Sequence, residues 1–501
     1  MPPKSVRELS PLAHPSFDRR TTWPPCVAMA VAAALACGGA KGETMADAIA
    51  LAYQTNPALL AQQATLRATD ETWVQARAGY EPTASIQASV TTDDNSEIQN
   101  YITPGVGQNQ SSTAVLTVNQ PIYTGGRVAR QIDAAEAGVL AGREGLRVTE
   151  ETLIQNVVQA YVGVRCDQRN VQISNDNVAL LESLYAEIKA RFKVGDVTQT
   201  DVSQTLERVL GARAEAVAAV AALKVARATY AQVVGQMPGD LAPEPPVDNL
   251  IPKTADDAAA TALVRNPQLR QALFTERESA AKLAAAKAQT RPTFSLQGSA
   301  GYAGSSLGVA TPFGRPGYDF SASAVATMPI TTGGVTSSQI RQEAELNTAD
   351  RDNIEIARRQ VLFDVAQSWH QLDGLRESLV FQKEQVDAAK IAFEGSRQES
   401  RVGLLATLDV LIAEEDLYGA QIALSDAERD VYIASSGLLS AVGTLQVAAL
   451  TPQVPQYDPE KNFKHVTRLP FWTPYEPAIA AIDKAGAPGE AAPPAPIPKL
   501  P

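Results

Sequence analysis

The sequence predicts an α+β membrane protein made by duplication, in which each half combines two membrane-crossing strands with long coiled-coil helices. Three observations lead to that class. A strand, proline and GlyGly junction occurs twice, as NQPIYTGGRV at 119–128 and TMPITTGGVT at 327–336. Four segments alternate apolar and polar residues over about ten positions, the length at which a tilted strand crosses a bilayer. Proline-free stretches with a seven-residue apolar repeat surround them.

The duplication runs through most of the chain. At a shift of 208, Pro121 falls on Pro329, Gly125 and Gly126 on Gly333 and Gly334, Val194 and Gly195 on Val402 and Gly403, and Asp201 on Asp409. Upstream the shift is 210, pairing Asn56 and Pro57 with Asn266 and Pro267, so the length change lies between Pro82 and Pro121. A loop-bearing hairpin is expected there. The expected organisation is a signal peptide at 1–40, a first repeat at 44–238, a Pro-rich linker at 239–252, a second repeat at 253–446 and a Pro/Ala-rich, disordered tail at 447–501.

Taking the elements in order, Arg19 and Arg20 precede an apolar stretch at 26–40 that is too short to span a bilayer and ends in small residues. This is the pattern of a secretory signal, with lipidation of Cys37 a weaker alternative. Once the leader is removed only Cys166 remains, so the exported chain has no internal disulfide and is held by packing. Strands follow at about 83–93 and 111–120, and again at 293–303 and 318–328. In the first, Ala84, Ile86, Ala88 and Val90 point one way and Ser85, Gln87 and Ser89 the other. Four strands cannot close a barrel, so strands in a membrane require several copies, two giving eight and three giving twelve. Soluble hairpins with one face on a core are the competing reading.

Each hairpin leads into a long helix. Val157, Val164, Val171, Val178, Tyr185 and Phe192 recur every seven residues, and Val365, Leu372, Leu379, Val386 and Phe393 repeat the seam. A helix over 126–194 is about 100 Å long at 1.5 Å per residue. The chain then reverses at Val194 and Gly195, and at Val402 and Gly403, and returns as far as Gly235 and Gly443. The return helix and the helix before the first strand, laid end to end, nearly match the long one. That arithmetic predicts a cylinder wall of one unbroken and one spliced helix per half, with all strands at one end and all Val-Gly turns at the other.

Composition narrows the function. A formal charge of -12 with no basic patch argues against a nucleic-acid surface. His14, His370 and His465 lack metal-ligand spacing, Glu414, Glu415 and Asp416 read as a solvated helix face, and no glycine-rich phosphate loop precedes a lysine. We therefore expect no enzyme active site, no cofactor and no metal.

The order helix, strand, loop, strand, QPIYTGG, long helix, RFKVGDVTQTDV, repeated and ending in ESRVGLLATLDVLIAEEDL and LLSAVGTL, resembles the TolC family of outer-membrane channel-tunnels. The resemblance implies a homotrimer with a 12-stranded barrel among outer-membrane lipid and a helical tunnel in the periplasm. It implies a passive duct whose tips, at Val194, Gly195, Val402 and Gly403, dock onto a periplasmic adaptor and an inner-membrane pump. The second tip looks closest to type I secretion members, which serve an ABC transporter. A drug-efflux partner is the alternative, and a periplasmic coiled-coil scaffold without a pore is the rival class. An aspartate lining the periplasmic entrance in that family falls on Asp409, for which helix-start stabilisation is the other reading, and Asp201 at the equivalent place reads first as a helix-start residue. The family's second entrance aspartate falls on Ile412. The arginine and tyrosine that latch the closed tip of its best-known member fall on Leu405 and Ser400. Pro121, Gly125, Gly126, Pro329, Gly333 and Gly334 are expected to form the barrel-to-helix junctions.

Overall fold

A computed structural model describes residues 42–94, 108–307, 317–451, 454–468 and 473–487. The expected signal peptide, Cys37, the hairpin loops at 95–107 and 308–316, and the end of the tail lie outside the described residues.

The first repeat contains α1 (Met45–Thr55), α2 (Pro57–Arg77), β1 (Thr83–Asp94), β2 (Gln108–Tyr123), α3 (Arg127–Lys193) and α4 (Gln199–Val234). The second contains α5 (Ala255–Arg265), α6 (Pro267–Ala288), β3 (Thr293–Leu307), β4 (Gly317–Thr327), α7 (Val335–Arg401) and α8 (Thr407–Val442). The two long helices have 67 residues each and the two return helices 36 each. Both pairs start and stop at residues related by the repeat, because the glycines that bound them are repeated too. Gly125, Gly126, Gly195, Gly235, Gly333, Gly334, Gly403 and Gly443 all have φ between 61° and 95°, a region that side chains avoid.

The strands form one antiparallel sheet in the order β1-β2-β3-β4. They are slightly longer than the alternation alone suggested. β2 continues through Pro121 to Tyr123, and its register against β3 slips where the proline has no N–H to offer. Apart from Ile122 at the base of β2, no strand residue among those whose side chains are described joins a buried hydrophobic cluster. Val90 is 66 % exposed, Ile86 and Tyr318 77 % and Phe320 76 %. A soluble hairpin would lay that apolar face on a core, so this sheet presents it to lipid or to nothing. The other face carries polar rungs, such as Ser89 Oγ to Thr113 Oγ1 and Ser299 Oγ to Ser321 Oγ, each 2.8 Å.

The spliced wall also forms. Asn56, capping α2, donates from Nδ2 to the Val233 carbonyl at the end of α4 (3.1 Å), and Asn266, capping α6, donates to that of Ala441 near the end of α8 (2.9 Å). Helix α3 is flanked by α2 and α4 on one side and by α6 and α8 on the other, whereas α7 has the second pair and the short α5 beside it and nothing in the place of α2 and α4 among the described residues. Along α3 the buried seam begins at Val157 and Val164 but drifts to Leu181, Leu184 and Ile188 near the far end, leaving Phe192 exposed. A 3.6-residue helix rotates slowly against a strict seven-residue repeat.

The linker is held against the first repeat: Glu43 pairs with Leu241, and the Tyr161 hydroxyl lies 2.8 Å and 2.7 Å from the carbonyls of Glu43 and Ala242. One expectation changes. The tail, expected to be disordered from 447, is folded over its described part as α9 (Val447–Leu450), α10 (Pro459–Val466) and α11 (Glu476–Ala485). Its order comes from specific contacts. Asn462 donates to Asp70 (2.8 Å), Phe463 lies edge-on to Trp73, Arg77 forms a two-pronged bridge to Glu476, and Ile479 packs on Tyr80 and Val128.

Candidate functional site

The far end of the helices brings together most of the residues that the sequence singled out. Helix α3 ends as the N–H groups of Gly195 and Asp196 turn back to the carbonyls of Phe192 and Arg191, both 3.0 Å. Gly195 takes φ 84° to allow it. Helix α7 ends likewise, Leu404 N–H reaching Glu399 O at 2.9 Å with Gly403 at φ 79°. A Cβ at either glycine would meet nothing within 4 Å. Val194, Val402 and Leu404 are 81 %, 72 % and 76 % exposed, so each turn presents an apolar knob.

Asp201 and Asp409 occupy the same place at the starts of α4 and α8. The Asp201 carboxylate accepts from the N–H of Thr198 (2.8 Å) and from its hydroxyl (2.7 Å), and the Thr198 oxygen accepts from the Asp201 N–H in return. The Thr198 hydroxyl bond, more than any other influence, holds the Asp201 carboxyl below its ordinary pKa. Ala406 has no hydroxyl, so Asp409 accepts only from the Ala406 N–H, at 3.2 Å, and stays exposed. Both carboxylates therefore cap helices, and Asp409 does so with the looser hold.

The two hairpins share a core of Leu181, Leu184, Ile188, Val202, Val209, Phe393, Val410, Leu411 and Leu417. They are also braced by charges. Arg401 forms a two-pronged bridge to Glu187 (3.0 and 3.2 Å), Arg208 reaches Glu415 (2.8 Å), and Arg191 donates to the Ser400 carbonyl (3.2 Å). The Arg401 bond is the largest influence lowering the Glu187 pKa. Of the two positions that the family latch falls on, Ser400 contributes its carbonyl and Leu405 is half-buried; Ile412, where the family's second entrance aspartate falls, is an exposed apolar residue.

Glu414 departs from the solvated-face expectation. It is 3 % exposed, and burial raises its pKa to about 7, while Glu415 stays outside to meet Arg208. Sequence reasoning also missed Glu187, Arg191, Arg208 and Arg401. The only available signal was the arginines crowding the last turn of each long helix, where cations suit the helix dipole without further purpose.

At the opposite end lie the junctions. β2 runs through Pro121 and ends at Tyr123, Gly125 and Gly126 turn the chain, and α3 starts at Arg127; Pro329, Gly333 and Gly334 stand in the same order before α7. Barrel end, spliced wall and braced tip are thus all present in one chain. Residues 48–236 and 258–444 each match the family described as Outer membrane efflux protein.

The chain belongs to the outer membrane efflux protein family.

Among relatives of the chain, the Outer membrane efflux protein BepC of Brucella suis is 33 % identical over 454 residues, covering 89 % of the chain and 97 % of that protein. Outer membrane protein TolC of Vibrio cholerae is 24 % identical, covering 80 % of the chain and 91 % of that protein. The crystal structure of the outer membrane protein VceC from Vibrio cholerae superposes with a TM-score of 0.69 at 21 % identity, over 80 % of the chain and 96 % of that structure. The fold is that of the outer-membrane channel-tunnels, and the bacterial outer membrane is where the protein resides.

Proposed function

We propose that the protein is the outer-membrane exit duct of a tripartite export assembly. It works as a homotrimer that docks through Val194, Gly195, Val402 and Gly403 onto a periplasmic adaptor coupled to an inner-membrane transporter. The observation that carries this reading is that one chain is unfinished along its whole length. The sheet has two free edges, β1 and β4. Helix α7 leaves Ile356, Phe363, Phe381 and Ile391 60–73 % exposed, and α4 leaves Val217 and Val225 71 % and 66 % exposed. Within the chain, α6 and α8 fill the groove between α3 and α7. In the same way α2 and α4 of a next copy fill the groove beside α7, and β1 of that copy pairs with β4. Three copies give 12 strands, with the apolar face to lipid and the Ser/Thr face to the pore.

At the tip, three Asp409 carboxylates about the axis repel one another and favour cations. No chemistry is asked of the duct, and energy for transport comes from the inner-membrane partner. We assign that partner to the ABC transporters of type I protein secretion, on the resemblance of the second tip. Small-molecule efflux is the second reading, favoured by the similarity to a protein named for efflux.

The test is conductance of the purified protein in a planar bilayer. Small cation-selective channels are expected. Folded oligomers that never conduct would return the molecule to the class of periplasmic scaffolds.

A further inference from the structure

Glu414 is an acid placed where the hairpin asks for none. The duplication sets it on Leu206 and sets Tyr418 on Leu210, so α4 carries leucines at the two positions where α8 carries ionisable groups. The hairpin forms with either pair, and the acid needs another reason.

Its surroundings are complete within one chain. Glu414 is buried and lies one helical turn from Leu411 and from Leu417, both members of the core that joins the two hairpins. Helix α3 faces it with Asn177, which hydrogen-bonds to the carboxyl, and with Ser174, whose Oγ lies 3.1 Å from the Tyr418 hydroxyl. Helix α4 faces it with Arg208 and Glu215, and α8 itself adds Glu415 and Tyr418. On α7, Glu394 stands as far before the turn as Glu414 stands after it, but Glu394 is exposed, and Arg397 beyond it turns to Glu187 (3.6 Å).

The charges around Glu414 do not balance. Glu414, Glu415 and Glu215 all draw on Arg208, which already lies 2.8 Å from Glu415. Glu414 Oε1 has no hydrogen-bond partner among the described residues. Burial therefore outweighs the Asn177 bond and the Arg208 charge, and raises the carboxyl pKa to about 7. A neutral Glu414 fits this core. An ionised one is a buried charge with an unmet oxygen on the face where α8 packs against α3, and it is relieved when α8 moves off and admits water.

We propose that Glu414 is a proton-operated latch of the tip: protonated, it lets α8 close on α3 and α4, and ionised, it drives α8 away from them and widens the entrance. The latch rests on the reading of the tip as the entrance of an export duct. It acts within each copy. Between copies the repeat puts Leu206 at the equivalent contact, where there is no charge to gain, so the contacts inside the copies part while those between copies hold.

The pH window follows from the sign of the shift. An acid with a raised pKa in the packed state binds its proton more tightly there, so closure is at full strength below the ordinary carboxylate value, weakens as pH rises, and changes no further above about 7.

The test compares wild type, Glu414→Gln and Glu414→Leu, the last copying the first repeat, in planar bilayers between pH 5 and pH 8. Asp409 and Glu187 are the same in all three, so their contributions are common to the three curves. In wild type, the fraction of time spent in the widened state is expected to rise at least about tenfold from pH 5 to pH 7 and then level off. Both variants should stay at the wild-type pH 5 value throughout. A flat wild-type curve, or a variant that folds and still titrates like wild type, would overturn the latch. Hydrogen exchange of the full chain in detergent, corrected for its intrinsic pH dependence, is read beside it over 174–188 and 407–420. If no protein conducts, faster exchange there at pH 7 than at pH 5 in wild type alone keeps the acid-dependent contact and discards the duct, whereas equal exchange in all three discards the latch itself.

Discussion

Arg401 and Glu187 clasp the two hairpins of the tip, Nε lying 3.0 Å from Oε1 and Nη2 3.2 Å from Oε2. Both residues sit on long helices that must part at the tip if the entrance is to widen. Arg401→Ala is expected to enlarge single-channel conductance while leaving the melting temperature nearly unchanged, since exposed pairs add little stability. The bridge also has a defined pH window. The Glu187 pKa is lowered in the folded chain, so its stabilisation is complete above the ordinary carboxylate value and is lost as pH falls through the lower one. Conductance recorded from pH 7 downward should rise only below about pH 4; a rise beginning near neutrality would point to another latch.

The two tip aspartates should separate by assay. Asp409→Ala removes an exposed carboxylate with one backbone partner and is expected to reduce cation selectivity with little loss of stability. Asp201→Ala breaks a reciprocal cap and is expected to cost about 1 kcal/mol in unfolding, with selectivity nearly unchanged. Reversal potentials across a salt gradient, read beside thermal unfolding, decide between them.

Glu151 predicts a second pH effect. It lines a polar cavity of about 240 Å³ at the splice of α6 and α8, shared with Gln155, Asn266 and Asp364, and its Oε1 has no hydrogen-bond partner among the described residues. Burial raises its pKa to about 8. A raised acid binds its proton more tightly in the folded state, so stability is full below the unfolded value and falls as pH rises towards 8. Glu151→Gln should flatten that part of the stability profile and melt higher than wild type at pH 8.5. An unchanged profile would show that Glu151 is solvated.

Shifting the β2–β3 register by the repeat sets Ala324 against Val90, and Ala326 against Ala88, of a neighbouring copy. Apolar residues then face apolar residues around the ring. Chains carrying Ala324→Cys and Val90→Cys should cross-link to trimers with a short bismaleimide, whereas Ala324→Cys with Ser89→Cys, on opposite faces, should not.

Removing the Asp483 carboxylate leaves the buried N–H groups of Thr124 and Gly126 without their acceptor, at about 1–3 kcal/mol for an unsatisfied group. Asp483→Ala should release α11, seen as protease cleavage within 473–487 while the helical wall stays resistant.

What the sequence disclosed and what it hid have different physical origins. The repeat, the strands and the turns are written in local terms: glycine where φ is positive, alternation where a sheet has two unlike faces, heptads where helices pack. They carried the fold and the placement of Asp201, Asp409 and both junctions. The tip braces were invisible because they break the repeat: Glu187 aligns with Gly395, and Arg401 with Lys193. A comparison of the two halves rewards only what they share. The order of the tail was hidden for another reason. Its composition is that of a loose segment, and its fold comes from partners such as Thr124, 359 residues away from Asp483.

That separation bears on biogenesis. In a chain exported from its N-terminus, Thr124 and Gly126 emerge 359 and 357 residues ahead of Asp483, so the first junction stays unsealed until that later segment has followed. A copy that stops before Asp483 lacks the seal at the foot of its own strands, although both repeats are already made.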